Sequence, residues 1–338
     1  MQAARKITVE LGERSYDVVI GKNLIEYAND YIDFSRRIAI ITDSGVPEKY
    51  ISTVKALAND ATVITFEQGE ENKNINTYES ICEQLLSFGL KRKDAIVAIG
   101  GGVVGDVAGF VASTYMRGID FYNIPTTLLA QVDSSVGGKC ALNLGGVKNI
   151  LGSFYQPRSV IIDVDTLSTL DKRQISSGIA EIVKMALTSD QKFFEDLEAD
   201  IYKTDIEGTI ERALLIKKSI VESDERENGL RKILNFGHTL GHGIERASGL
   251  YHGESVALGM IPMCSPMLRE RLRQLLNKIE LSTELNFDLD KALAFMKHDK
   301  KGDGDNVDAI FVDSPGKYRI EKMPLAALCE YIKNTVEV

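Results

Sequence analysis

The sequence predicts two halves of different class: an α/β first half built on a parallel sheet, and a mainly α-helical second half. Two observations carry this. Up to about residue 166, short runs of consecutive apolar residues alternate with stretches of helical spacing, the grammar of strands covered on both faces by helices. Beyond it nearly every periodic stretch repeats at the 3.6-residue interval. A chain of 338 residues that is 44% hydrophobic is long enough for two cores.

In chain order, residues 6–11 and 16–20 alternate apolar and polar about a glycine-containing turn, which predicts an opening hairpin. The runs 38–42 (IAIIT), 62–66 (TVITF) and 95–99 (AIVAI) predict buried strands, with Pro47 opening a helix after the first and helical spacing over 76–88. Gly100, Gly102 and Gly105 then complete G-x-G-x-x-G, directly after AIVAI and ahead of a helical run through Val111. Ligands of parallel sheets bind beyond the strands' carboxyl ends, and a helix N-terminus there offers free N–H groups to a pyrophosphate. An ordinary glycine turn is the competing reading, and the strand-before, helix-after context favours a nucleotide. Asp43, closing the IAIIT strand, suits a ribose hydroxyl or a helix cap equally. Residues 122–163 are more polar, and the pairs Gly137/Gly138 and Gly145/Gly146 predict loops. Lys139 and Lys148 beside them suit a phosphate or plain solvent. Residues 159–164 close the sheet.

Helices are predicted at 175–187, 193–201, 206–221, 233–247, 255–273 and 289–297, with a hairpin over 309–320 turning at Ser314-Pro315-Gly316. Three of the four histidines, His238, His242 and His252, fall between residues 235 and 254. His238 and His242 are spaced i,i+4, one turn apart on one helix face, a spacing that two metal ligands can use. Capping or helix-face histidines are the plainer alternative. A metal would want a carboxylate as well, and Glu181, i,i+3 from Lys184 among aliphatic residues, offers one; an exposed ion pair is its alternative. The acidic stretch 299–308 lacks the EF-hand arrangement, since Val307 occupies a ligand position, and reads as solvated.

A net charge of −9 without a long basic run argues against nucleic acid or an anionic membrane surface as partner. Four scattered cysteines without a CxxC pair argue against a thiolate zinc site and a disulfide framework. The N-terminus alternates instead of showing a signal peptide, and no apolar run is long enough to span a membrane, so a cytoplasmic setting is expected.

The segments GGGVVGDVAGFVASTYMRG, IPTTLLAQVDSSVGGKCALN, KNILGSFYQP, GIAEIVKMAL, RKILNFGHTLGHGIE and HGESVALGM, in this order across residues 43–301, closely resemble the 3-dehydroquinate synthases, sugar-phosphate cyclases of the shikimate pathway. The resemblance implies a Rossmann-like NAD domain over 1–166, a helical domain over 167–338 carrying one divalent metal, zinc or cobalt, an active site between them, and a homodimer. It places the metal on Glu181, His238 and His252, and moves His242 to the substrate. It places NAD on Asp43, Glu70, Lys73, Gly101, Gly102, Asp106, Thr126, Thr127, Asp133 and Lys148, with Thr169 and Leu170 at the rim. Asp133 also belongs to the substrate set. Phosphate falls to Lys139, Asn149, His242 and Lys300 or its neighbour Lys301, with Arg117 reaching in from a partner subunit. Lys217 and Arg231 would hold a carboxylate; Lys184, Glu227 and Asn235 would sit near hydroxyls and metal.

The implied substrate is a small sugar phosphate, 3-deoxy-D-arabino-heptulosonate 7-phosphate, converted to 3-dehydroquinate and phosphate. The implied steps are transient oxidation by NAD at C5, β-elimination of phosphate, re-reduction, ring opening and intramolecular aldol closure. The chain departs from the family at Asp171 and Gln174, where Pro and Glu are commoner, and at Cys140, which replaces a common Thr. Other sugar-phosphate cyclases, metal-dependent polyol dehydrogenases and a non-catalytic NAD- or metal-binding regulator are the rivals. Lys217 and Arg231, suited to a carboxylate, favour the dehydroquinate reading.

Overall fold

The computed structural model describes residues 4–284, 288–299 and 306–336. Lys300, Lys301 and most of the acidic stretch 299–308 lie outside the described residues. The chain divides into two compact units, Met1–Leu170 and Asp171–Val338.

The first unit carries β1 (Arg5–Val9), β2 (Tyr16–Gly21), β3 (Ile38–Asp43), α1 (Glu48–Leu57), β4 (Ala61–Phe66), α2 (Ile75–Phe88), β5 (Ala95–Gly100), α3 (Gly102–Thr114), β6 (Asp120–Pro125), β7 (Lys139–Leu144), β8 (Val147–Phe154) and β9 (Ser159–Asp163). Seven strands form one sheet in the order β1-β2-β9-β6-β5-β3-β4. Every neighbouring pair is parallel except the opening hairpin β1–β2. The strands β5 and β9 are buried at every residue, as expected of central parallel strands. Separate apolar clusters fill the two faces, one containing Ile51 and Val54 of α1, the other Ile81 and Leu85 of α2 with Val104 and Val107 of α3. From β3 the chain proceeds to β4 on one side, and from β5 to β6 on the other, so the carboxyl ends of β3 and β5 flank a topological switch point. Asp43 and Gly100 stand at those two ends.

Three strands, β6, β7 and β8, went unread in the sequence. Asp120 and Asn123 interrupt the apolar run of β6. The stretch read as loops around the second glycine pair is the β7–β8 hairpin, and Gly145 and Gly146, at φ +60° and +78°, form its turn.

The second unit contains α4 (Lys172–Ser189), α5 (Gln191–Glu198), α6 (Ile201–Thr204), α7 (Ile206–Ser223), α8 (His238–Ser248), α9 (His252–Met260), α10 (Pro266–Lys278), α11 (Leu289–Asp299), the antiparallel hairpin β10 (Asn306–Ser314) and β11 (Lys317–Pro324), and α12 (Leu325–Val336). Among the described residues no helix is long and apolar enough to cross a membrane. Helix α4 is buried continuously from Ser176 to Thr188 and forms the unit's axis. Its N-cap is Asp171, whose carboxylate accepts the Gln174 N–H at 2.8 Å, which accounts for one departure from the family pattern.

The expected helix 255–273 is two helices, α9 and α10, separated by a 3-10 turn at Ile261–Met263, because Pro262 and Pro266 supply no N–H to continue the ladder. The expected helix 233–247 begins only at His238. Leu230–Asn235 is a 3-10 turn, and Gly237, at φ +77°, redirects the chain. The expected helix 193–201 ends at Glu198.

Candidate active site

The local structure of the second unit explains how three distant residues meet. Glu181 lies in the continuously buried, largely aliphatic middle of α4 and is 0% exposed. His238 and His252 are the first residues of α8 and α9. These helices approach one another and α4 at glycines. A Cβ on Gly253 would stand 2.0 Å from the Ser177 carbonyl oxygen of α4, and one on Gly259 would stand 2.0 Å from the Gly237 carbonyl oxygen. Only glycine permits backbones this close. The start of α9 is further clamped by Arg173 of α4, which donates to both oxygens of Glu254 and lies 4.0 Å over the Tyr251 ring, while Glu254 accepts the Tyr251 N–H at 2.7 Å.

Glu181, His238 and His252 each present a ligand atom, and these atoms lie within 4.8 Å of one another. The Glu181 Oε1 is 3.4 Å from His252 Nε2 and 3.7 Å from His238 Nε2. Donors around a tetrahedral zinc with bonds of 2.0–2.1 Å stand about 3.4 Å apart, so the spacing suits a shared cation. Both Glu181 oxygens are buried, and neither has a hydrogen-bond partner among the described residues, although Lys184 pairs with Oε2. A buried carboxylate in that condition is costly unless a cation completes it. The donor set therefore fits a divalent metal.

The three groups strongly influence one another's charge. Burial alone would raise the Glu181 carboxyl, but Lys184, His238 and His252 outweigh it and hold it well below the usual range. Burial and the Lys184 ammonium push His238 well below its ordinary value, keeping a lone pair available. Burial opposes a charge on His252, yet Glu181 and Glu245 outweigh it and raise this imidazole to about 9.

His242 lies beside this cluster, its ring centroid 5.4 Å from that of His238 and 5.9 Å from that of His252. Asn235 donates to Glu227 Oε1 at 2.7 Å, and Glu227 itself sits at φ +60°. Lys217 and Arg231 are both buried. The loop bearing Arg231 is held by Asp224, which accepts the N–H groups of Asn228, Gly229 and Arg231; neither Asp224 nor Glu245 was singled out in the sequence.

In the first unit, Gly101 caps α3 between β5 and the helix, and a Cβ there would meet Thr127 Cγ2 at 3.2 Å; one on Gly102 would meet Ser134 Oγ at 3.0 Å. The Thr126 N–H donates to the Gly100 carbonyl at 2.9 Å. This leaves a bare backbone turn and the N-terminus of a 13-residue helix at the switch point, which fits a dinucleotide's pyrophosphate. Nearby in the fold, buried Lys73 donates to Asp106 Oδ2 and Asn149 Oδ1, both at 2.5 Å. Asn149 adopts φ +55°, and its N–H donates to Asn143 Oδ1, whose own Nδ2 donates to Glu70 Oε1 at 2.9 Å. Four residues expected at NAD or phosphate, Glu70, Lys73, Asp106 and Asn149, are thus joined in one network through Asn143, which the sequence did not flag.

Asp43 accepts the Gly45 N–H at 2.9 Å, an Asx-type turn ahead of Pro47, and burial raises its carboxyl. Thr169 contacts Tyr50 through their hydroxyls at 3.3 Å, and Leu170 is the last residue of this unit. Asp133 sits on a π-helical turn, Ala130–Ser134. Lys139 opens β7 and Lys148 lies on β8, both with exposed side chains. Arg117 is exposed in a turn where Met116, Arg117 and Gly118 all have positive φ, 53°, 65° and 111°.

Fold and carboxylate–imidazole cluster together define a dehydroquinate synthase-like protein. The solved 2-deoxy-scyllo-inosose synthase complexed with carbaglucose-6-phosphate, NAD+ and Co2+ superposes with a TM-score of 0.87 at 31% identity, covering 98% of this chain and 100% of that one. ValA, a 2-epi-5-epi-valiolone synthase from Streptomyces hygroscopicus with NAD+ and Zn2+ bound, gives a TM-score of 0.87 at 25% identity, covering 97% and 98%. The family models for the 3-dehydroquinate synthase N-terminal and C-terminal regions match residues 63–177 and 178–302. The 3-dehydroquinate synthase of Streptococcus mutans is 39% identical, covering 97% of this chain and 99% of the relative, and that of Pelobacter propionicus is 48% identical, covering 75% and 76%. The chain belongs to the 3-dehydroquinate synthase family.

Proposed function

We propose that the chain catalyses the 3-dehydroquinate synthase reaction, converting 3-deoxy-D-arabino-heptulosonate 7-phosphate to 3-dehydroquinate and phosphate as a carbon–oxygen lyase. The observation that carries this reading is the buried Glu181 with two imidazoles around it, in a chain whose relatives are 3-dehydroquinate synthases. When bound, NAD accepts and returns a hydride, and a divalent ion, zinc or cobalt, polarises the oxygen at the carbon being oxidised.

The chain's own residues supply the rest. In the first unit the turn at Gly101 and Gly102 would seat the pyrophosphate, with Lys73 and Asp106 beside it. Asp43, Glu70, Thr126, Thr127, Asp133, Lys148, Thr169 and Leu170 complete the proposed NAD set. Lys139 and Asn149 are the proposed phosphate ligands of this unit. In the second unit Glu181, His238 and His252 would hold the metal, and His242 would orient the departing phosphate. Lys217 and Arg231 are buried cations, suited to a substrate carboxylate that must be stripped of water. The Glu227–Asn235 pair can hold hydroxyls, and Lys184, drawn to Glu181, can pass a proton at the oxidised centre. The protein is proposed to act in the cytoplasm as a homodimer, with Arg117 serving the partner subunit's substrate.

The test is phosphate release and 3-dehydroquinate formation from this substrate with catalytic NAD, with and without a chelator. Turnover should cease on complete metal removal and return with Zn2+ or Co2+. Persistence of turnover without metal would overturn the reading. Net accumulation of NADH with a polyol would assign the chain to the dehydrogenases of related fold instead.

A further inference from the structure

We infer that Glu245 is a positioning residue, which fixes His252 in the orientation and tautomer that present its Nε2 to a divalent cation; this rests on Glu181, His238 and His252 being the metal's ligands. Glu245 lies on α8, seven residues after His238 and three after His242, so the three share one helix face. Its side chain is 17% exposed, and its Oε2 stands 3.3 Å from Nδ1 of His252 on the neighbouring helix α9. A neutral imidazole has one N–H and one lone pair. An N–H at Nδ1 donated to Glu245 leaves the lone pair on Nε2, the atom that faces Glu181 at 3.4 Å.

The two imidazoles are held differently. The Nδ1 of His238 lies 3.1 Å from the Phe236 carbonyl oxygen, a backbone acceptor only two residues away and set by the Gly237 turn. His252 opens α9, and its Nδ1 instead takes the carboxylate from α8. The Glu245 side chain is therefore a replaceable support. The residue's helical role is separate, since its backbone carbonyl accepts the Gly249 N–H at 3.0 Å whatever the side chain. A carboxylate behind a metal-bound imidazole both orients the ring and raises its basicity, and loss of such a partner typically weakens metal binding by about 10–100-fold.

Metal-free protein and its Glu245→Ala, Glu245→Met, Glu245→Gln and His252→Ala variants would be titrated with Zn2+ against a chromophoric chelator, and with Co2+ by its visible absorption. Glu245→Met keeps the side-chain volume without an acceptor, so folding and positioning can be told apart; melting of each metal-free variant is recorded alongside. The Met and Ala variants should bind Zn2+ about 10–100-fold more weakly, with a changed Co2+ band, at unchanged metal-free melting temperature. Glu245→Gln, which retains an acceptor oxygen, should recover part of the loss. Unaltered affinity and Co2+ spectrum in Glu245→Met would overturn the inference while leaving the metal site intact. Failure of the unsubstituted protein to bind either ion, or full binding by His252→Ala, would overturn the metal reading on which it rests.

Discussion

The polar clusters of the two units are built to opposite plans. In the first unit Lys73 is buried but answered, with Asp106 and Asn149 both at 2.5 Å, and the surrounding turn is backbone and glycine. In the second unit Glu181 is buried deeper, at 0% exposure, and although the Lys184 ammonium pairs with Oε2, neither oxygen has a hydrogen-bond partner among the described residues while two imidazoles converge on Oε1. The first cluster is complete as it stands and can receive a ligand on its surface. The second is a set of converging donors around a cost that a cation would remove. The contrast teaches where each unit should be sensitive: the second to loss of a charge or a lone pair, the first to graded loss of contacts.

The largest break should come at Glu181. Glu181→Gln is expected to abolish stoichiometric metal binding and lower turnover by at least about a thousandfold, because a Lewis acid contributes several kcal/mol at the reacting oxygen. NADH binding, followed by fluorescence, should be little changed; retention of metal in this variant would contradict the assignment. The histidines sharpen the same point. His252→Ala should lose metal, whereas His242→Ala should keep it and lose turnover. Equal metal loss in both would mean that the division of the three rings is wrong.

Next in size is the packing that brings the ligands together. Gly253→Ala places a Cβ 2.0 Å from a backbone oxygen of α4, which cannot swing aside as a side chain can. Roughly 1–3 kcal/mol of destabilisation is expected from such overpacking, with weakened metal binding, both measurable by calorimetry. In the first unit Lys73→Met should raise the NAD dissociation constant about tenfold, the worth of one charge-assisted hydrogen bond, and leave metal content untouched. If Lys73→Met lost metal, or Gly253→Ala lost only NAD, the contrast between the units would fail.

The parts that were legible in the sequence are those where one physical requirement dominates. Strands β3 and β5 are central and parallel, so both faces select apolar residues and the runs are continuous; β4, at the edge of the sheet, is only partly buried but still reads as the β-branched run TVITF. Strand β6 was missed because Asp120 and Asn123 have other duties: Asp120 gathers two arginines, and Asn123 lies 3.2 Å from the Cβ position of Gly105. The β7–β8 hairpin was missed because β8 is largely exposed, leaving little alternation to read. Among site residues, clustering exposed the histidines and aliphatic neighbours exposed Glu181. Spacing alone did not separate His242 from the proposed ligands; that came from the family resemblance. Glu245 was within reach, at the next i+3 step after His242, but its partner lies on another helix and no local pattern names it. Asn143 left no signal, since its role arises only when a hairpin meets the turn after β4.

The smallest effect tests a region outside either cluster. Asp120 opens β6 at the amino end of the parallel strands, opposite the switch point, and accepts from Arg36 at 2.6 Å and Arg158 at 2.7 Å. Burial would raise its carboxyl, but the hydrogen bonds from the two arginines prevail and lower it. A carboxylate whose folded-state pKa is depressed stabilises the fold fully above its unfolded value and loses that contribution as pH falls through the folded value. With Asp120 partly exposed, Asp120→Asn should cost about 1 kcal/mol at neutral pH by urea unfolding, and turnover should be unaffected. The gap between variant and parent should narrow below about pH 4 and vanish once the native carboxylate is protonated. A gap that persisted in acid would show that Asp120 acts through packing or neutral hydrogen bonds, and a fall in turnover would mean that the amino end of the sheet is coupled to the site at its carboxyl end.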